Sequence, residues 1–307
     1  MIQQRLLDAA PIVLDGGLAT QIETQGFHLN SDLWSAELLA SDPGAIVDAH
    51  RAYLDAGAEC IISASYQASR DGLVGLGLTA AQADELITSS VTLARQAVDE
   101  FCAARSQSVA RPLVAASVGP YGAAMHDGSE YTGLYAIDAA SLAEFHRQRL
   151  AILDAAGADV LACETIPNRV EADVLAELLR DVRTPAWISF SCRNGTEISD
   201  GTPIADIAEI FADHPRVLAV GVNCTAPEFI PSLIANLRST VGDKAIVIYP
   251  NSGERFTEVD KTWHGSSSPV NLAEASASWF AAGASIIGGC CRMGPDEIKI
   301  IRRALKP

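Results

Sequence analysis

Positive charge is scarce in this 307-residue sequence. Lysine and arginine together number 22 against 38 aspartate and glutamate residues, which gives a formal net charge of −16 at pH 7. Proteins that bind nucleic acids neutralise phosphates with basic patches, so this balance argues against a nucleic-acid partner. We expect most of the excess acidic charge to lie on the solvated surface.

Long apolar runs are also missing. No uninterrupted hydrophobic stretch reaches the length that spans a bilayer, although 49% of the residues are hydrophobic. The first residues, MIQQRLLDAAPIVLDGG, contain no basic segment followed by a long apolar one, so they do not resemble a signal peptide. We therefore expect a cytoplasmic protein with a large core and no membrane partner. The sequence does not indicate the oligomeric state of this protein.

The seven cysteines lack the spacing of a disulfide framework. In a reducing compartment, clustered cysteines indicate metal binding or catalysis rather than disulfides. Two of them, Cys290 and Cys291, are adjacent in the stretch SIIGGCCRMGP. A disulfide between sequence neighbours closes a strained ring, and two thiolates alone make a poor zinc site, so a metal site here requires a third ligand.

Eight short, nearly continuous apolar runs recur along the chain, as expected for parallel strands that are buried on both faces. They are IVLDGG, ECIISASY, PLVAASVGP, DVLACET, AWISFSC, LAVGVNC, AIVIYPNS and SIIGGCC. Stretches of helical character separate them, and we find no composition shift that marks a second domain. The pattern predicts an α/β fold, a (β/α)₈ TIM barrel formed by residues 1–307 as a single domain. An open doubly wound sheet is the alternative.

A short internal repeat supports the predicted alternation of helices and strands. The segments YLDAGAECIIS, ILDAAGADVLAC and WFAAGASIIGG each join a helix end to a strand through a glycine. Gly57, Gly157 and Gly283 occupy the position where a helix C-terminus needs a left-handed residue. The longer stretch between the seventh and eighth strands, residues 251–271, is predicted to be an active-site loop.

In barrel enzymes the chemistry lies at the C-terminal ends of the strands. Cys224 ends the sixth predicted strand, which lies two positions from the eighth, so its thiol can face Cys290 and Cys291 across the barrel mouth. Spacing alone leaves three alternatives open: a Cys₃ zinc site, a structural Cys₄ site closed by Cys163 or Cys192, and reduced core thiols. Gly288 and Gly289, without side chains, are expected to leave room for a substrate.

The sequence resembles the homocysteine S-methyltransferase family over essentially its whole length. The motifs that carry the resemblance are LDGGLATQIETQG, DLWSAELL, SYQAS, SVGPYGA, GSEYTG, LACETIPN, SDGTP, GVNC, YPNSGE and GGCC. The resemblance implies a zinc enzyme that methylates homocysteine to methionine, most similar to the branch with S-methylmethionine or S-adenosylmethionine as donor. It also implies that Cys224, Cys290 and Cys291 ligate zinc and that Asp15 and Glu164 bind the homocysteine amino group.

Further residues are expected around the substrate. The segment ISASYQ makes Ser63 a candidate contact, and backbone amides around Gly16, Gly17 and Ser63 can hold a carboxylate in a nest. The rings of Tyr66, Tyr131, Tyr249 and Trp263 can either line a sulfonium pocket or pack in the core. Asp15 is alternatively a structural turn residue, and Glu164 the partner of a neighbouring arginine.

The implied chemistry needs few other groups. Three cysteine thiolates leave zinc one open position, and a thiol that takes it is deprotonated at neutral pH. A sulfonium donor leaves as a neutral thioether, so no acid is required, and the sequence shows no catalytic histidine cluster. Two other functions remain open from the sequence. A zinc hydrolase is disfavoured because such sites generally use histidine or carboxylate ligands; a non-catalytic, zinc-stabilised binding protein is the second.

Overall fold

Eight parallel strands form a closed barrel in the computed structural model, which describes residues 2–6, 10–27, 34–105, 110–257, 262–264 and 271–306. In chain order the barrel strands are β1 (Ile12–Val13), β2 (Cys60–Ile62), β3 (Leu113–Val118), β4 (Val160–Ile166), β5 (Ala186–Phe190), β6 (Val217–Asn223), β7 (Ala245–Tyr249) and β10 (Ala284–Ile287). Strand β1 pairs with β10, and a parallel bridge between Leu14 and Cys60 joins it to β2. The (β/α)₈ prediction is confirmed, and the open-sheet alternative is wrong.

Helices alternate with these strands. They are α1 (Ile2–Leu6), α2 (Leu18–Thr24), α3 (Trp34–Ser41), α4 (Pro43–Ala56), α5 (Arg70–Gly75), α6 (Ala80–Ala103), α7 (Tyr121–Met125), α8 (Ala139–Ala155), α9 (Arg169–Leu178), α10 (Ile204–Ala212), α11 (Ile230–Val241), α12 (Leu272–Ala281) and α13 (Pro295–Leu305). Short 3₁₀ turns cover Ser129–Tyr131 and Pro227–Phe229. Within the described part of the chain, no helix has the length and hydrophobicity to cross a bilayer.

Side chains along each barrel strand alternate between two cores. Ala162, Trp187 and Val247 belong to the cluster inside the barrel. Their neighbours Leu161 and Ile188 belong to the larger cluster between the sheet and the helices. Because strands buried on both faces expose no polar face, the sequence shows them as apolar runs.

The three predicted glycine junctions adopt the expected conformation. Gly57, Gly157 and Gly283 have φ values of 106°, 85° and 107°. Such values are costly for residues that carry a Cβ atom, so glycine ends α4, α8 and α12 and turns the chain into the next strand.

The predicted active-site loop between β7 and the last barrel strand is described in part. Residues Arg255–Thr257 (β8) and Thr262–His264 (β9) form a two-stranded antiparallel sheet. Its start lies at the barrel mouth, because Asn251 N–H donates to Thr225 O at 3.2 Å and Ser252 N–H donates to Cys291 O at 3.2 Å. Residues 258–261 and 265–270 of this loop lie outside the described residues.

Candidate metal and substrate site

Three cysteine sulfurs meet at the C-terminal mouth of the barrel. Cys224 directly follows β6, and Cys290 and Cys291 follow β10. Their sulfur atoms all lie within 4.8 Å of one another. The predicted convergence of residues 66 positions apart is therefore present.

Backbone contacts hold these cysteines in place. Cys224 has a φ of 47°, an uncommon conformation for a residue with a side chain. Its N–H donates to Tyr249 O at 3.1 Å, while Cys290 N–H donates to Pro250 O at 2.8 Å. The end of β7 therefore lies between the two cysteine-bearing segments and sets their spacing.

The glycines before the tandem pair are required by packing. A Cβ atom on Gly288 would lie 2.5 Å from Leu14 Cβ and 2.7 Å from Asp15 O, and one on Gly289 would lie 2.5 Å from Met293 Cβ. The space beside Gly288 is thus filled by protein, so the expectation that it makes room for substrate is wrong. Gly289 does line the cavity described below.

Two of the three sulfur–sulfur separations suit a single metal ion. Cys291 Sγ lies 3.5 Å from Cys224 Sγ and 4.0 Å from Cys290 Sγ. Sulfurs bound to one tetrahedral zinc ion at ~2.3 Å lie ~3.8 Å apart, which these separations bracket. Cys224 and Cys290 are paired as a disulfide, whereas the sequence predicted free thiolates. Reduction of this pair leaves a three-sulfur set that one ion can bridge.

No fourth sulfur joins this set among the described residues. Cys163 is fully buried and points into the core between the sheet and the helices. Cys192 packs against that core, and its Sγ lies 3.9 Å from Phe190 O. The predicted alternative of a closed Cys₄ site is therefore wrong for the part of the chain that the structure describes.

A cavity of about 150 Å³ opens beside the sulfurs. All three cysteines line it, together with Glu164 and Ser63. The apolar walls and the few convergent polar groups are typical of a small-molecule site.

Glu164 is buried in the wall of this cavity. It accepts a hydrogen bond from Ser117 Oγ and is also hydrogen-bonded to Tyr249. Burial raises the pKa of Glu164 to about 7, against the lowering effect of these bonds and of the Arg149 charge. No ion pair to Glu164 exists among the described residues, which removes the alternative of a neighbouring arginine partner.

Asp15 lies behind the wall and is 2% exposed. Its Oδ2 accepts a hydrogen bond from Ile62 N–H at 2.8 Å, while Oδ1 has no partner among the described residues. Burial raises the pKa of Asp15 well above its usual value, and the negative charge of Glu164 raises it further. Two buried carboxylates that repel each other are stabilised by a cation between them.

Similarity to known proteins places this geometry in a family. A family model described as homocysteine S-methyltransferase matches residues 12–305. Homocysteine S-methyltransferase YbgG of Bacillus subtilis is 47% identical over 302 residues, which cover 97% of this chain and 96% of the relative. The chain belongs to the homocysteine S-methyltransferase family. This is a family of methyltransferase enzymes, and the resemblance in the sequence is confirmed.

Solved structures of the family share the whole fold. The homocysteine methyltransferase MmuM from Escherichia coli, in a form described as metallated, has a TM-score of 0.86 at 42% identity, over 96% of both chains. A form described as oxidised also has a TM-score of 0.86, at 41% identity over 97% of this chain and 96% of the other.

The predicted amide nest is only partly present. Gly17 N–H donates to Met293 O at 2.9 Å, and Ser63 N–H donates to Ala115 O at 2.9 Å, so neither is available to a substrate carboxylate. The Ser63 hydroxyl lies 2.8 Å from Ser65 Oγ and accepts from Ser117 N–H. Gly16 lines the cavity, as predicted for a residue near the substrate.

Three of the four predicted aromatic residues line the cavity: Tyr66, Tyr131 and Tyr249. The Tyr249 hydroxyl accepts from Trp187 Nε1 at 3.2 Å and lies 2.7 Å from Ser189 Oγ. The side chain of Trp263 lies outside the described residues.

The role of Arg149 was not predicted from the sequence. It lies on α8, is 1% exposed, and donates to Gly119 O at 3.0 Å and to Ser65 O and Tyr66 O at 2.9 Å. Burial lowers the pKa of Arg149 to about 10, so it remains charged at neutral pH. It joins the segment after β2, which carries Tyr66 to the cavity, to the segment after β3. A lone arginine in an amphipathic helix gives no signal of this role.

Proposed function

We propose that this protein transfers a methyl group from a sulfonium donor to the sulfur of L-homocysteine and produces methionine. One observation carries the proposal: three cysteine sulfurs and the buried carboxylate of Glu164 line the same cavity, with Asp15 directly behind it. Groups suited to a thiol and groups suited to an ammonium thus lie within one small site, which supports the proposal. We further propose that residues 1–307 act as one homocysteine-binding barrel domain with small-molecule partners.

Zinc is the proposed cofactor, one ion per chain. Cys224, Cys290 and Cys291 would hold it, since thiolate ligands at these separations suit zinc. When bound, zinc supplies the positive charge that deprotonates a thiol at neutral pH and leaves it nucleophilic. The disulfide between Cys224 and Cys290 must be reduced for this role, so we propose that the protein works in a reducing compartment, the cytoplasm.

Glu164 and Asp15 would bind the ammonium group of homocysteine. An ammonium ion beside these carboxylates offsets the repulsion between them and favours their ionised forms. Charge-assisted hydrogen bonds to carboxylates are the strong ones, so two such contacts would orient the amino acid and direct its thiol towards the cysteines.

Methyl transfer from the donor requires that the two sulfur atoms and the methyl carbon are aligned, and it requires no acid or base group. The homocysteine thiolate sulfur forms a bond to the methyl carbon while the bond between that carbon and the donor sulfur breaks. The electron pair stays on the donor sulfur, which leaves as a neutral thioether. No histidine is among the described residues that line the cavity, and none is needed. The rings of Tyr66 and Tyr131 would stabilise the sulfonium by cation–π contact.

A methyl-transfer assay tests the proposal. Reduced, zinc-loaded protein is incubated with homocysteine and either S-methylmethionine or S-adenosylmethionine, and methionine is measured. We expect methionine with at least one donor, and a further sulfur ligand in the zinc-edge X-ray absorption spectrum when homocysteine is added. Glu164→Ala should raise the homocysteine KM far more than the control Cys102→Ala. Absence of methionine with both donors would contradict the proposed function.

A further inference from the structure

Strand β4 ends in a bulge at the cavity. Its pairing with β5 runs from Cys163 opposite Ile188 to Ile166 opposite Phe190. Between these pairs, two residues of β4 lie opposite a single residue of β5. Thr165, inside this irregularity, has a φ of 61°. A bulge inserts one extra residue and changes the direction of the side chains around it.

The bulge allows two consecutive side chains to face the same cavity. In a regular strand, Glu164 and Thr165 would point to opposite sides of the sheet. Instead both line the cavity, while Cys163 and Ile166 on either side of them pack in the outer core. The direction of the Glu164 carboxylate therefore depends on the backbone conformation of Thr165.

That conformation is unfavourable for threonine. A β-branched residue with a positive φ is a backbone outlier, and such strain persists only where the surroundings hold it. Thr165 N–H donates to Asn223 Oδ1 at 2.7 Å, and Asn223 Nδ2 donates to Thr165 Oγ1 at 2.7 Å. One side chain, at the end of β6, thus hydrogen-bonds to both the backbone N–H and the hydroxyl of the strained residue.

Asn223 is itself rigidly placed. It is fully buried, its Oδ1 also accepts from Ser189 Oγ at 2.8 Å, and its Nδ2 lies 4.0 Å from Cys290 Sγ. Both ends of the amide are therefore in use. The next residue is Cys224, so the same short segment carries a cysteine of the sulfur cluster and the contact that holds the bulge.

We propose that Asn223 is a positioning residue for ammonium recognition. It holds Thr165 in the bulge and thereby directs the Glu164 carboxylate to the amino group of the thiol substrate. The inference rests on the proposed methyl transfer to homocysteine. Asn223 links the end of β6, which carries Cys224, to the end of β4, which carries Glu164. The thiol and the ammonium of one substrate are thereby bound at a defined separation.

The test compares two thiol acceptors, homocysteine and 4-mercaptobutanoate, which keeps the thiol and the carboxylate and lacks the amino group. The measured quantity is the ratio of their kcat/KM values at saturating donor. A charge-assisted contact to the ammonium predicts a ratio of about 10 to 100 for the wild type. In Asn223→Ala the ratio should fall towards one, because the homocysteine value drops while the 4-mercaptobutanoate value changes little.

Two further variants separate positioning from general loosening. Asn168→Ala removes another buried asparagine, whose Oδ1 accepts from Glu171 N–H and whose Nδ2 donates to Gly133 O. This control should lower the melting temperature and keep the wild-type ratio. Adding Thr165→Gly to Asn223→Ala should restore the ratio, because glycine adopts a positive φ without strain.

The outcomes are distinguishable. If the wild type methylates neither thiol, the proposed function fails and this inference fails with it. If the wild type prefers homocysteine and Asn223→Ala keeps that preference, only the positioning role is overturned. Should Asn223→Ala not fold, Asn223→Ser carries the same comparison, since one hydroxyl cannot hold both groups of Thr165. Its ratio should also fall, and an unchanged ratio would refute the inference.

Discussion

Glu164→Gln should weaken substrate binding and stabilise the fold at the same time. The isosteric amide keeps an oxygen that accepts from Ser117 Oγ and removes a buried negative charge next to Asp15. Residues that bind a charged ligand are often unfavourable in the free protein, so function and stability are expected to change in opposite directions here.

The magnitude follows from the pKa of Glu164, which burial raises from 4.5 to about 7. Between these values the folded protein keeps the proton and the unfolded chain has lost it, so stability falls as the pH rises through this window. Above pH 7 the full cost is about 3 kcal/mol, obtained from the two pKa values. Below 4.5 both states are protonated and the cost vanishes.

The assay is urea denaturation of reduced, metal-free wild type and Glu164→Gln between about pH 5 and pH 8, followed by circular dichroism. The free energy of unfolding of the variant minus that of the wild type should increase with pH by about 2–3 kcal/mol. This difference measures the free-energy cost of the Glu164 charge, including its repulsion of Asp15. The homocysteine KM should rise about 10- to 100-fold through loss of the charge-assisted contact. A stability difference that is independent of pH would refute the reasoning.

Two other perturbations have specific expected results. Cys224→Ala should reduce the zinc bound per chain, measured by elemental analysis, without a change in circular dichroism. The control Cys102→Ala should keep its zinc. Full zinc in Cys224→Ala would exclude Cys224 as a ligand. In Gly119→Ala the new Cβ would overlap the backbone oxygen of Tyr66, so overpacking should destabilise the fold by about 1–3 kcal/mol. Gly75→Ala, which meets no atom within 4 Å, is the matched control, and equal melting temperatures for the two variants would contradict the packing argument.

The barrel and the sulfur cluster could both be predicted from the sequence. Parallel strands buried on two faces leave apolar runs that are visible without a structure. Once eight such runs are arranged in a barrel, strand six and strand eight lie two positions apart, so Cys224 can face Cys290 and Cys291. The family resemblance then implied these three cysteines as the zinc ligands. The amide nest was wrong for Gly17 and Ser63, because their N–H groups are used by carbonyl groups elsewhere in the chain.

Sequence alone therefore determined the strand order and the end of the barrel at which the chemistry lies, since both follow from local hydrophobicity and from one rule of topology. Only the tertiary structure decided that Thr165 is strained, that Asn223 holds it, and that Arg149 holds the segments beside the cavity. The contact between Thr165 and Asn223 joins residues 58 positions apart, and the contacts of Arg149 reach residues 30 to 84 positions away. Such contacts depend on strand register and on side-chain direction, and a one-residue bulge changes both without any periodic signal in the sequence.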